Sequence, residues 1–485
     1  MSALHSLRKL IRTLTSSELL LCEQYLKTFD HRGEKYESKA VKLFRLFQQP
    51  DELKEQELEF VIYGKRNVAA FSRLVLRLKE KVLEAVLLPA NTQRQQKLSR
   101  YHKSLSEVRL RLSQIDFLLE GELTDMALFR LLTVCETASR FEFFAELLQA
   151  YSYRATLEIR EQTQVRKQMQ KARLCWQYAV TCHEFYLLTL LATPAETELQ
   201  LTELRKLEQG NGSARAAFLL LEAEAVIATK KRLLAKAVLL RRKQLRLIEQ
   251  HPALQDGHKL PEVYLALAEL NFRLLRLVQA ADCIYACLPL VTNDTVKRRT
   301  LLELETAVCF LQHNTVAAHA AITEALTLQP TGKTHYLRAL VLFQQDEYAQ
   351  AITVMERINW KAADREGFGT AARVFMQILT IECGSDPEQR STLRRLKRLD
   401  DKMPMAVNLN AREQLIVDLM QALISRKLHF KTVYQEFREH IEQLRAPIGK
   451  AEESVGVTAW NVDRWELVVF QEWFVCKVIG VKYRA

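Results

Sequence analysis

The chain of 485 residues holds only 13 glycines and 10 prolines. Tight turns, bulges and β-hairpins draw on those two residues, so their scarcity argues against an all-β or a doubly wound α/β fold. Long apolar runs are missing too. The uncharged stretch Phe185 to Ala195 is about half of the ~20 residues that a helix needs to cross a bilayer, and no membrane span is expected. Near the start, Arg8, Lys9 and Arg12 interrupt the leucines, which leaves no apolar core for a signal peptide. Cysteine is present but unpatterned: Cys22, Cys135, Cys175, Cys182, Cys283, Cys287, Cys309, Cys383 and Cys476 are scattered and odd in number. Such spacing builds no disulfide framework; it predicts buried thiols in a reducing compartment and hence a soluble, cytoplasmic protein. Catalytic signatures such as His-Glu-x-x-His, Gly-x-Ser-x-Gly and Gly-x-Gly-x-x-Gly are also absent. No positive case for an enzyme follows, and neither a cofactor nor a metal is expected.

What fills the sequence is leucine, alanine, glutamate, glutamine, arginine and lysine, all good helix formers. With 48% hydrophobic and 26% charged residues, the chain is too apolar for disorder. An all-α fold is expected. The net charge of +12 permits nucleic acid, anionic membrane or acidic protein as a partner without selecting one.

Four segments follow from the pattern. Residues 1–88 form an N-terminal helical block, with Phe71, Leu74, Leu78 and Val82 along one helix face and a polar linker after Pro89. The charge of this block is near balance, so a DNA-binding-like role for it gains no electrostatic support. Residues 98–209 read as long antiparallel helical hairpins, with Trp176, Val180, Phe185 and Leu188 among the candidate core residues. Gly210-Asn211-Gly212-Ser213 breaks the chain, and Ser213 is placed to cap the next helix. Residues 213–446 alternate helices and short turns. Residues 447–485 comprise a loop and a capping helix over Asp463–Ile479 carrying Trp465, Val469, Trp473 and Cys476 on one face; Ser454–Ala459 and Val478–Tyr483 are alternative short strands.

Within the third segment, Ala280, Ala318 and Ala351 recur at separations of 38 and 33 residues, near the roughly 34-residue spacing of one repeat family. Each stands in a pattern with other apolar residues: Tyr264, Leu267, Ala268, Leu277 and Leu288; then Ile322, Ala325, Leu326 and Pro330; then Ala339, Leu342, Tyr348 and Ile352. On these residues, about 262–360 resembles the tetratricopeptide (TPR) family. Glu305 and Arg338 stand where that family usually has leucine. The resemblance implies a TPR-like α-solenoid, a right-handed superhelix of antiparallel helix pairs. It also implies a concave groove that binds a protein or peptide and carries no catalytic chemistry. On the same alignment Asn271, Glu305, Gln312, His335, Arg338 and Gln345 face the groove. The Lys/Asn carboxylate clamp of some family members is not reproduced.

A second candidate surface is basic. Over a helix expected at Lys230–Gln250, Leu233, Leu234, Ala237, Val238, Leu240, Leu245 and Ile248 form an apolar face. Lys231, Arg232, Lys236, Arg242, Lys243 and Arg246 lie opposite, and residues 230–248 hold no acid to pair with them. Uncompensated cations of this kind suit phosphate backbones or acidic partners; the competing explanation is a solvated outer face, or neutralisation by a neighbouring hairpin. Arg390, Arg394, Lys397 and Arg398 form a second ladder of the same kind, better read as solvated. Gly332-Lys333-Thr334 has the ending of a phosphate-binding loop, but Thr327 stands where the first glycine belongs, and a turn is the better reading. Cys283-x3-Cys287 and Cys309-x3-His313 have helical metal-ligand spacing, yet they occupy packing positions.

Overall fold

The computed structural model describes residues 3–12, 14, 16–28, 38–48, 53–87, 99–120, 122–158, 161–208, 212–384, 389–402, 409–445, 462 and 465–483. All regular structure among them is helical. The chain divides into two compact units, Met1–Ser99 and Arg100–Ala485. In the first, α1 (Ala3–Arg12), α2 (Ser16–Thr28), α3 (Lys39–Gln48), α4 (Glu55–Tyr63) and α5 (Val68–Leu87) enclose a core of Leu7, Ile11, Phe44, Phe47, Phe71 and Leu78. Arg8 donates to the Leu53 carbonyl at 2.8 Å.

The second unit opens with α6 (Arg100–Glu120), α7 (Thr124–Arg140), α8 (Phe144–Leu157), α9 (Gln162–Leu191) and α10 (Pro194–Glu208). It continues as α11 (Ala214–Lys230), α12 (Leu234–Gln250), α13 (Lys259–Arg273), α14 (Leu277–Cys287), α15 (Thr295–Leu311), α16 (Thr315–Thr327), α17 (Gly332–Gln344) and α18 (Tyr348–Met355). It ends with α19 (Trp360–Arg365), α20 (Gly369–Cys383), α21 (Gln389–Lys402), α22 (Ala411–Ser425), α23 (Phe430–Glu436), α24 (Arg438–Arg445) and α25 (Phe470–Ile479). Successive helices pack as antiparallel neighbours, most closely in the pairs α11/α12, α13/α14 and α15/α16. Ala280 on α14, Ala318 on α16 and Ala351 on α18 are all fully buried, as their small size and spacing predict.

One turn recurs through this unit. Seven connections have three residues, and the middle one is left-handed: Glu122, Glu142, Arg232, Leu275, His313, Asp346 and Gly367. The next amide then reaches back five residues to close the preceding helix, as from Leu233 to the Ala228 carbonyl at 2.8 Å and from Arg276 to Asn271 at 2.8 Å. This is a Schellman closure, which glycine usually serves because a side chain costs energy at positive φ. Only Gly367 supplies one here. Arg232 is exposed at φ 60°, so Arg232→Gly is expected to raise stability by about 0.5–1 kcal/mol, read as a higher urea midpoint; a drop would contradict the strained turn.

The same turn corrects the continuous helix expected over Lys230–Gln250. Lys230 ends α11, residues 231–233 form the turn, and α12 starts at Leu234. Ser213 does cap α11, accepting from the Ala216 amide at 3.2 Å. Glu142 reinforces that end, accepting from the Ala214 and Arg215 amides at 2.6 and 3.1 Å, where a carboxylate suits the positive end of the helix.

On α9, the inward face is not the one expected. Ala172, Tyr178, Ala179, Cys182 and Phe185 are buried, whereas Trp176, Val180 and Leu188 are 42–50% exposed. Apolar residues surround this helix, so periodicity alone does not choose the face; α8 and α11 pack on the small-residue side, where backbones approach closely. The last helix also differs: it begins at Phe470, because Trp465 is left-handed at φ 62° and Val469 is extended. Trp473 lies fully buried within the main core. No strand occurs among the described residues; Val478 and Ile479 are helical, and Ser454–Ala459 lies outside them.

Candidate partner-binding surfaces

The first helices of three successive pairs, α13, α15 and α17, carry Phe272, Glu303, Lys333 and Tyr336 beneath a non-helical strap, residues 465–469, that leads into α25. Trp465 packs its indole against Phe272, with ring centroids 5.6 Å apart, and over the Lys333 ammonium at 3.4 Å. Its carbonyl accepts from the Tyr336 hydroxyl at 2.8 Å. Glu466 takes both arms of the buried Arg412 guanidinium at 2.8 Å each. Arg412 is further held by Gln471 at 2.6 Å and by the Leu444 carbonyl at 3.3 Å. Leu467 and Val468 are buried in the core. A cavity of about 30 Å³ remains between Val468, Glu466, Tyr336, Phe375 and Ile416.

Charge is concentrated under the indole. Burial pushes the Lys333 ammonium down from its ordinary value, and the charges of Glu303, 3.9 Å away, and of Glu269 partly oppose the shift. Glu303 is buried and accepts from the Thr334 hydroxyl at 2.5 Å and the Thr331 hydroxyl at 3.2 Å. Thr331 caps α17, so a carboxylate of the chain itself occupies the place where Gly332-Lys333-Thr334 would offer a phosphate its helix terminus. Gly332-Lys333-Thr334 is thus the start of α17 rather than the connecting turn expected from the sequence.

The six residues expected in the groove are dispersed. Asn271 is buried, its side-chain amide donating to the Leu267 carbonyl at 2.9 Å. Glu305 is half-buried, its carboxyl pushed up by burial and partly restored by the Tyr285 hydroxyl. His335 is half-buried, its imidazole pushed down by burial and by Arg357. Arg338 is half-buried, with one guanidinium nitrogen enclosed and unbonded. Gln312 and Gln345 are exposed at hairpin tips. Gln345 adjoins an open cleft of about 600 Å³ lined by His313, Gln344, Asp346, Lys482 and Tyr483. On α17 the strap covers the Lys333–Tyr336 face, a different face from that of His335 and Arg338.

The basic residues are partly answered by neighbours. Lys231 pairs with Glu198 at 2.5 Å, and this contact lowers the Glu198 carboxyl. Lys230 instead donates to the Thr189, Leu190 and Ala192 carbonyls at 2.7–3.1 Å, at the negative end of α9. Arg232, Lys236, Arg242, Lys243 and Arg246 are exposed, and among the described residues none of these five has a carboxylate within salt-bridge distance. On α21, Arg394, Lys397 and Arg398 are exposed over buried Leu396, with Arg395 beside them; the Arg390 side chain lies outside the described residues.

Several large apolar side chains are also exposed on separate helices. Phe117 and Phe129 are 73% and 74% exposed on α6 and α7, and Leu191 is 89% exposed on α9. No group of three or more His, Cys, Asp or Glu side chains gathers as a metal site among the described residues. Cys287 and Cys309 are buried, each thiol pushed up to about 11 by burial. All nine cysteines are free and Cys383 is exposed. At pH 8, Cys383 should take up a maleimide within minutes while Cys287 and Cys309 label only after denaturation, as peptide mass mapping would read. No helix among the described residues is long and apolar enough to cross a membrane.

Set against protein-family models, curated proteins and solved structures, the chain matches none.

Proposed function

We propose that the chain is a non-enzymatic helical-repeat scaffold of TPR-like type that binds a protein or peptide partner, with the groove formed by the first helices of its hairpins. The observation that carries this reading is the succession of pairs with one shared turn and a buried alanine at each crossing. A stacked series of hairpins presents a long surface and needs no chemistry of its own. Exposed phenylalanine and leucine on α6, α7 and α9 add apolar surface of the kind that marks interaction sites. The test is affinity capture with the native chain and with Arg338→Ala/Gln345→Ala. A partner retained by the first and weakened at least tenfold by the second is the expected result; equal retention of every partner removes the groove from the reading.

A second reading rests on the exposed row Lys236, Arg242, Lys243 and Arg246, which together with Lys231 and Arg232 forms a basic surface for an anionic partner such as nucleic acid. Phosphate contacts weaken steeply as salt rises. A gel shift that is absent, or indifferent to salt between 50 and 200 mM, counts against it.

A further inference from the structure

We infer that the face bearing Phe272, Lys333, Tyr336 and Arg412 is a recognition surface for a Trp-Glu-aliphatic-aliphatic segment turned at its tryptophan, occupied in cis by residues 465–468. A partner carrying the same four-residue chemistry competes for it. This rests on the scaffold reading and names its surface and its ligand class.

Four observations lead there. First, two consecutive side chains of the strap each answer a cation of the helical face. The Trp465 ring covers Lys333 at 3.4 Å, and the Glu466 carboxylate meets Arg412 in a fork at 2.8 Å. A flat aromatic face and a bidentate carboxylate are the specific partners for an ammonium and a guanidinium. Second, Arg412 is oriented independently of the strap residue it binds, since the Leu444 carbonyl and Gln471 also hold it. Its fork is set for whichever carboxylate arrives. Third, the cis segment fits at a cost. Trp465 sits at φ 62°, a conformation that costs a non-glycine residue of order 1–2 kcal/mol. A segment in trans can offer the same side chains from a relaxed backbone.

Fourth, the strap under-fills its seat. The cavity of about 30 Å³ beside Val468 is bounded on one side by Ala371, Val374, Phe375, Ile378 and Ile416 and on the other by Tyr336, Thr370, Glu413 and Glu466, and its apolar side has room for an added methylene. The partner should therefore carry isoleucine or leucine at the fourth position. Anchorage of the strap is separable from that of α25, because Phe470, Trp473 and Phe474 are each fully buried and hold the helix without Trp465.

The test uses the full chain and a fluorescent, amidated Trp-Glu-Leu-Val-Val peptide, followed by anisotropy. Trp465→Ala/Glu466→Ala removes the two strap side chains that answer Lys333 and Arg412, while Leu467 and Val468 stay buried. This variant should bind the peptide at least tenfold more tightly than the native chain, and adding Arg412→Leu should abolish the gain. Changing the last two residues to Leu-Ile should tighten binding further, two- to threefold. Reductive methylation of Lys333, read by mass spectrometry, should run at least tenfold faster in the variant and slow again with peptide. If the double variant loses its helical circular dichroism, Trp465→Ala alone carries the same criteria. Equal peptide binding and equal Lys333 labelling in native and variant chains overturn the inference. If a captured partner is still weakened by Arg338→Ala/Gln345→Ala in that case, the scaffold reading stands and only the strap is lost.

Discussion

Replacing Arg412 by alanine is expected to cost the second unit about 3–5 kcal/mol, because it leaves the Glu466 carboxylate buried without its counter-charge. The guanidinium is 6% exposed and the carboxylate 15%, so water screens neither fully. Glu466 also accepts from the Phe470 amide at 3.3 Å, at the start of α25. Lysine is not a substitute: a single ammonium cannot bridge two carboxylate oxygens, Gln471 and the Leu444 carbonyl together. Arg412→Met/Glu466→Leu should fall much closer to the native chain, since a buried pair replaced as a whole leaves no orphan charge. Urea midpoints of the two singles and the double give the coupling. An Arg412→Ala chain within about 1 kcal/mol of native would mean that the pair is solvated like a surface ion pair.

That arginine shows where the sequence stops being legible. The all-helical class, the hairpin alternation and the buried alanines at 280, 318 and 351 all follow from composition and local period, and the structure has them. Those signals are local: they need only residues three, four or about thirty-four positions apart. The strap is different. Glu466 is 54 residues from Arg412 and Trp465 is 129 from Tyr336, and no periodicity links them. The turns are hidden for another reason. Arg232, Leu275 and Asp346 stand in a backbone conformation that residue type does not advertise, so the chain around Lys230 reads as continuous helix. For α9 the sequence offers two apolar faces, and packing chooses the one with small residues. The groove set suffered from all three effects at once: Asn271 turns inward, Gln312 and Gln345 fall at the tips, and the covered face belongs to Lys333 and Tyr336.

The second large effect is expected at Trp473. Its side chain is fully buried, with ring centroids 5.8 Å from both Phe430 and Phe470. Its indole N–H donates to Glu382 at 2.7 Å, and Lys477 holds the other oxygen of that carboxylate at 2.7 Å. Trp473→Ala therefore removes the largest fully buried side chain of the core, a change that costs about 3–5 kcal/mol when the cavity cannot collapse. It also strips one donor from a half-buried carboxylate, worth a further ~1–2 kcal/mol. Trp473→Phe separates the two: it keeps a ring between Phe430 and Phe470 and loses the donor and some volume, so a loss of about 1.5–3 kcal/mol is expected. Adding Glu382→Gln to Trp473→Phe should change little if the lost hydrogen bond is the smaller part. The order native, Phe, Ala in thermal midpoint is the signature of a core residue. A surface cap would lose little in either variant, since the ring of a cap can be removed without leaving a void that α20, α23 and α25 share.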